Sequence, residues 1–204
     1  MIRNLGLLMC MLPLFVMAGS GSMYSYLVSD NSWISLSGTT SINSFTCTSA
    51  GEIPRGFIMA DILPGSNAIY FSDANLDVPV TSFDCKNRMM NNDLHKSLGG
   101  NDNPTIKIKL LEARMMYNAQ NDKNGKLYTT VEISINGQTK ITDVTVGYEQ
   151  VNPYSFLISG SKDMLMSEFG IDPPSPMLGM VKVHNKVNIH FHLLIETSLI
   201  TQSN

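Results

Sequence analysis

Charge is scarce in this chain. Only 15% of its 204 residues are Asp, Glu, Lys or Arg, and the net charge is -3. No basic stretch forms the clustered face that nucleic acid requires, so no nucleic-acid partner is expected. Little charge beside 43% hydrophobic residues excludes a disordered chain. The sequence also lacks the recognised catalytic arrangements. It has no G-x-S-x-G elbow, no phosphate-binding glycine loop, no H-E-x-x-H and no prominent carboxylate pair. Neither an enzyme nor a cofactor is expected. No linker or internal repeat divides the chain, and its length suits one substantial core. No apolar run is long enough for a helix to span a bilayer.

Cysteine is nearly as scarce, with three residues. One of them, Cys10, lies in a segment that reads as a cleaved secretory signal over residues 1–22. Arg3 supplies a positive start and residues 5–17 an apolar run. Ala18, Gly19, Ser20, Gly21 and Ser22 supply the small residues of a cleavage region. An anchor that stays attached is the alternative. Met9 precedes Cys10 where a lipidation site needs a small residue. Residues 23–204 then form one domain with two cysteines, Cys47 and Cys85. An even pair in an exported chain reads as a disulfide. Neither belongs to a C-x-x-C motif, so the bridge is structural rather than redox.

What is present is mostly strand. The stretch from Cys85 to Leu110 organises the rest as a short amphipathic helix, a loop and a strand. Met89, Met90, Leu94 and Leu98 recur at helical spacing. Gly99 and Gly100 end the helix, and Asp84, Asn87, Asn91 and Asn92 offer caps. Thr105 onward alternates apolar and polar, as a half-buried strand does. Strands are also expected at 32–38, 56–63, 67–80, 126–135, 138–148, 154–160 and 178–196. Gly38 is read as a strand break, 23–26 as a lead-in and 199–204 as a frayed tail. Asn136-Gly137 marks a hairpin. Residues 162–169 read as a second short helix. The fold class is therefore all-β: an extended antiparallel barrel or sandwich, with one or two short helices near its mouth.

Alternation assigns an apolar interior. Val187, Ile189, Phe191, Leu193 and Ile195 share one face of the last strand. Leu127, Val131, Ile133 and Ile135 share another face, as do Val144, Val146 and Tyr148, and Ile106, Ile108 and Leu110. Phe45, Phe71, Phe156, Met164 and Phe169 complete the expected lumen, with Met89, Met90 and Leu94 as a lid. A barrel of about eight strands is either just filled by side chains or holds one ligand. The many methionines suit a site for a floppy chain, although core filling is the plainer reading. His184, His190, His192 and Glu196 lie on one face of the last strand. That face opposes the apolar one, so solvated histidines are expected rather than a metal site. Arg88, Asp93 and His95 read as surface or capping residues.

Four segments, taken in order, resemble the YceI-like proteins. Ser32-Trp33-Ile34-Ser35-Leu36-Ser37-Gly38 through Phe45 resembles the opening G-x-S-x-V-H-x-F strand, with Asn43-Ser44 in place of Val-His. Met89 to Leu98 with Asn103-Pro104-Thr105-Ile106 resembles the helix and the P-x-I-x-F strand. Val131 to Val146 resembles the G-x-L-x-I-x-G-x-T-K hairpin. Ser167-Glu168-Phe169-Gly170-Ile171 resembles the F-G segment before the last strand, without the usual preceding Arg. The resemblance implies a lipocalin-like barrel of about eight strands with a helix near its mouth. It implies a periplasmic carrier for a polyisoprenoid or similar amphiphile, such as an isoprenoid quinone. Transient membrane contact and a homodimer are further expectations. A packed structural or assembly domain, and an exported lipid-modifying enzyme using His95 or the last-strand histidines, are the alternatives.

Overall fold

Antiparallel alternation along this chain closes on itself. The computed structural model describes residues 22–49, 56–62, 67–116, 123–175 and 180–200. Residues 1–21 of the expected signal (1–22) and 201–204 of the expected frayed tail lie outside these residues. The strands are β1 (Ser22–Val28), β2 (Trp33–Thr40), β3 (Ser44–Ser49), β4 (Gly56–Ile62), β5 (Ala68–Ser72), β6 (Asn75–Pro79) and β7 (Phe83–Asp84). Helix α1 (Arg88–Ser97) follows, then β8 (Thr105–Met115), β9 (Asn124–Ile135), β10 (Gln138–Asn152), β11 (Ser155–Leu165) and β12 (Val183–Leu199). Short 3-10 turns occupy Val80–Ser82 and Met166–Phe169.

Eight strands form the ring, in the order β1, β4, β5, β8, β9, β10, β11, β12, and β12 pairs back onto β1. Closure leaves the ring without the open edges that invite aggregation. The barrel is imperfect because its longest strands serve two neighbours. β12 pairs β2 over its first half and β1 over its last residues. β8 pairs β6 first and β5 later. The α1 end is therefore walled by β2, β3, β7 and β6, and the far end by β1, β4 and β5.

Between β10 and β11 the ladder runs only from Asn152↔Ser155 to Val146↔Gly160. Towards α1 the two strands part. Lys162 reaches over and donates to the Asp143 carbonyl oxygen at 2.8 Å. The 3-10 turn Met166–Phe169 fills the parting, and Phe169 is only 2% exposed.

Several expectations need correction. Residues 23–26 are not a lead-in: β1 pairs with both β4 and β12. Residues 162–165 are not helical. β11 continues its ladder with β12 as far as Leu165↔Lys186, and only Met166–Phe169 coils. That ladder hydrogen-bonds each residue to a neighbour, whereas an eight-residue helix is a marginal structure. The last strand begins at Val183 rather than 178, and extends to Leu199. Gly38 does not break its strand. It pairs with Phe45, whose ring lies so close that a Cβ at Gly38 would stand 2.5 Å from Phe45 Cζ. Glycine here marks close approach of a ring to backbone rather than a chain break. The Asn136-Gly137 hairpin is as expected, with φ of 50° and 73° as a type I′ turn requires.

Candidate functional site

Local polar chemistry fixes α1 across one end of the barrel. Asn87 caps it by accepting from the Met90 amide at 3.1 Å. Asn91 turns back: its side-chain oxygen accepts from the Cys85 amide at 2.7 Å, and its nitrogen donates to Asp84 at 3.0 Å. His95 lies within 3.0 Å of the Phe83 carbonyl oxygen and is half-buried, not exposed as expected. Gly99 and Gly100, with φ of 124° and 55°, turn the chain out of the helix. A disulfide joins Cys47 on β3 to Cys85, just before α1. The helix is thereby tied covalently to the wall that it covers.

Asp84 anchors this hinge. It accepts from Asn91, from the Lys86 amide at 2.8 Å and from the Lys86 ammonium at 2.9 Å. These bonds, Asn91's first, hold its carboxyl well below the usual carboxylate range. A depressed folded value means that the stabilisation is complete above the unfolded value of about 3.9 and fades as pH falls below it. Asp84→Asn is therefore expected to lower the melting temperature at pH 7, with the deficit shrinking in strong acid. Parallel thermal melts of both proteins across the acid range check this. An equal deficit at every pH would show that the charge is not what counts.

Between α1, the β2–β3 turn and the start of β12 lies an apolar cavity of about 240 Å³. Two stripes of the helix face it, Met90-Leu94-Leu98 and Met89-Asp93-Ser97. Opposite stand Leu36, Phe45, Phe169, Val187 and Ile189. Typical small-molecule pockets hold about 300–1,000 Å³. This cavity therefore takes a short length of chain rather than a whole large ligand. Its lining is hydrocarbon, sulfur and aromatic carbon, with Thr40, Asn43, Asn87, Asp93 and Ser97 as polar exceptions.

Of the residues that the sequence nominates, the cavity gathers Phe45, Met89, Met90, Leu94, Met164, Phe169 and Ile189. Ile106, Val131, Ile133, Val144 and Val146 are buried in the core, with Ile108, Leu110, Leu127 and Phe191 packed against it. Phe71 and Phe156 are half-buried on strands of the far end. Met89 does not share the buried stripe: it is 63% exposed at the cavity's opening. Several lining residues were missed. Ile135 sits on an expected inward face, but Ile171 and Pro174 fall in a Pro-rich stretch without periodicity. Asn91, expected as a cap, bonds instead to Cys85 and Asp84.

In the far half of the barrel, aromatic rings lie over glycines. The Tyr26 ring covers Gly56, and its hydroxyl donates to the Asn75 carbonyl oxygen. Tyr148 packs over Gly125 with its hydroxyl buried and unpartnered. Across Gly160, the Phe191 ring lies where a Cβ would stand 2.6 Å from its Cζ.

The histidines do not converge. His184 meets Thr39 at 2.8 Å, His190 is exposed and His192 stacks on Trp33 with 5.7 Å between ring centroids. Among the described residues no group of three or more His, Cys, Asp or Glu is placed to hold a metal. Among the same residues no helix is long and apolar enough to cross a membrane.

Two solved structures share this architecture. BcnA of Burkholderia cenocepacia superposes with a TM-score of 0.57 at 17% identity, covering 80% of this chain and 95% of its own. A polyisoprenoid-binding domain from Saccharophagus degradans, implicated in plant cell wall breakdown, superposes with a TM-score of 0.62 at 9% identity. It covers 85% of this chain and 98% of its own. No curated protein matches the chain. At these identities the likeness is one of fold. The model of the YceI-like domain, however, matches residues 36–195, from within β2 to within β12. This chain therefore belongs to the YceI-like family.

Proposed function

We propose that the protein is a periplasmic carrier of a polyisoprenoid or similar amphiphile, an isoprenoid quinone included, and not an enzyme. The observation that carries this reading is the apolar cavity under α1, open at one end and lined by flexible Met and aromatic side chains. Methionine suits a surface that must follow a mobile hydrocarbon. The neighbouring fold described as a polyisoprenoid-binding domain supports the ligand class. The Cys47–Cys85 bridge suits an oxidising compartment, reached through a cleaved signal at residues 1–22.

Binding works by transfer of hydrocarbon from water. Each buried CH₂ contributes roughly 0.8 kcal/mol before association costs. The cavity takes the first part of a chain. Asp93 and Ser97 on α1 supply polar atoms beside it. No bond is made or broken, so no catalytic residue is required.

The aromatic rings packed over glycines in the far half of the barrel favour a second reading, a packed assembly domain without ligand. The two readings separate on what the protein carries. Protein isolated from its own periplasm and extracted with organic solvent is expected to release an isoprenoid or quinone in near-equimolar amount. Extracts free of any amphiphile would favour the packed domain.

A further inference from the structure

The cavity opens among apolar side chains that project into solvent. Ile42 is 70% exposed, Met89 63%, Met180 70% and Leu165 41%. They come from four separate places: the β2–β3 turn, the first turn of α1, the segment before β12 and the end of β11. Ile42, Met89 and Leu165 also line the cavity, so its apolar lining continues onto the rim, interrupted by Thr40, Asn43, Asn87 and Asp93.

Polar chemistry holds these tips outward. The Thr40 hydroxyl accepts from the amides of Ile42 and Asn43 at 3.2 and 3.0 Å. It also lies 2.8 Å from the Asn43 side-chain oxygen, to which it donates. The Ser41 amide donates to the Lys182 carbonyl oxygen at 2.8 Å, and the Lys182 amide donates to the Ser41 hydroxyl at 3.2 Å. The turn that presents Ile42 is thus stitched to the segment that presents Met180. Such bracing spends hydrogen bonds on keeping two large apolar side chains in water.

We propose that this rim docks onto a lipid bilayer, with Ile42, Met89 and Met180 entering the interface and α1 lying at its surface. The inference rests on the carrier reading and names the phase from which the cavity loads. A bilayer fits this rim because its occupant is continuous with that of the cavity: hydrocarbon meets hydrocarbon with no water between. A cavity of about 240 Å³ would otherwise leave most of a long chain in water during transfer. Interfacial attachment scales with buried apolar area. Arg88 and Lys182 adjoin the rim, but Asp93 lines the same opening and Asp172 is exposed nearby. Attachment is therefore apolar in character and weakly dependent on salt.

Flotation of the exported chain with vesicles of phosphatidylethanolamine and phosphatidylglycerol tests this without any cargo. The wild type is expected to float at low and high salt. The Ile42→Ser/Met89→Ser/Met180→Ser variant, with an unchanged melting temperature, is expected to lose at least tenfold in bound fraction. Met180→Asp alone, outside the cavity lining, is expected to slow uptake of a polyprenol from vesicles at least tenfold. Its affinity for the same polyprenol presented in detergent stays that of the wild type. Failure of the wild type to float, or equal flotation of the triple variant, overturns the proposal. So does unimpaired transfer by Met180→Asp, which would point to handover through a protein partner. Loss of polyprenol binding in detergent by the wild type itself would instead remove the carrier reading, while flotation would still report on the rim.

Discussion

Replacing both Cys47 and Cys85 by Ala is expected to destabilise the protein by about 4 kcal/mol. The bridge closes a loop of 38 residues that contains β4, β5, β6 and β7. Opening it returns that loop's entropy to the unfolded chain. Against total stabilities of roughly 5–15 kcal/mol, the loss is a large fraction. A domain of this size should melt about 10 °C lower. The loss also has a local side. Cys47 is fully buried and lines the cavity, and Cys85 leads straight into Asn87, the cap of α1. Without the bridge the helix keeps the bonds of Asn91 to Asp84 and to the backbone amide at 85, the His95 contact and its apolar stripe. Urea unfolding of the double variant, and of wild type with and without reductant, measures the effect. Reduced wild type should match the variant. A variant within about 1 kcal/mol of oxidised wild type would contradict the role assigned to the bridge.

Placing carboxylates on the helix stripe should have the larger effect on binding. Met90 and Leu94 are half-buried and face the cavity. Full burial of such a side chain is worth about 1.5–3 kcal/mol, so the two together lose about 3 kcal/mol of contact with a ligand. Tenfold in affinity is about 1.4 kcal/mol. The Met90→Asp/Leu94→Asp variant is thus expected to bind an isoprenoid alcohol roughly a hundredfold more weakly. An unpaired carboxylate beside hydrocarbon adds to the loss, since it must stay hydrated. The same substitutions remove core contacts of α1, so melting temperature and helical dichroism must be followed alongside. A folded variant that binds like wild type would show that α1 does not border the ligand.

Much of this arrangement is legible in the sequence, because most of it rests on period and punctuation. Alternation over β8, β9, β10 and β12 identifies the inward faces, and Asn136-Gly137 identifies their hairpin. Helix α1 announces itself by spacing, by Asn87 at its start and by Gly99 and Gly100 at its end. What escapes is what tertiary contact decides. Residues 162–165 carry Met164 and Leu165 in a pattern that suits a helix equally well. Only the presence of β12 alongside turns them into strand. Gly38 reads as punctuation until Phe45 is seen to lie over it. The parting of β10 from β11, and the turn that plugs it with Phe169, leave no periodic trace. Ile171 and Pro174 reach the cavity from an aperiodic loop, so pattern alone could not nominate them.

The methionines divide along the same line. Met90, Met164 and Met166 line the cavity, Met89 lines it and is exposed at its opening, and Met115, Met116 and Met180 are exposed. Composition marks the residue type without assigning it a side. Core filling alone does not account for side chains that stand in water. Those at the opening, Met89 and Met180, belong with the proposed docking rim.

The central claim is that the space under α1 is a binding site and not a packing fault. Its most direct test is the native mass of delipidated, exported protein after incubation with a polyprenol. The expected spectrum shows one added polyprenol per chain, lost on substitution of Met90 and Leu94 by Asp. A spectrum of bare protein at every polyprenol concentration, from a chain whose melting temperature also stays unmoved, would contradict it.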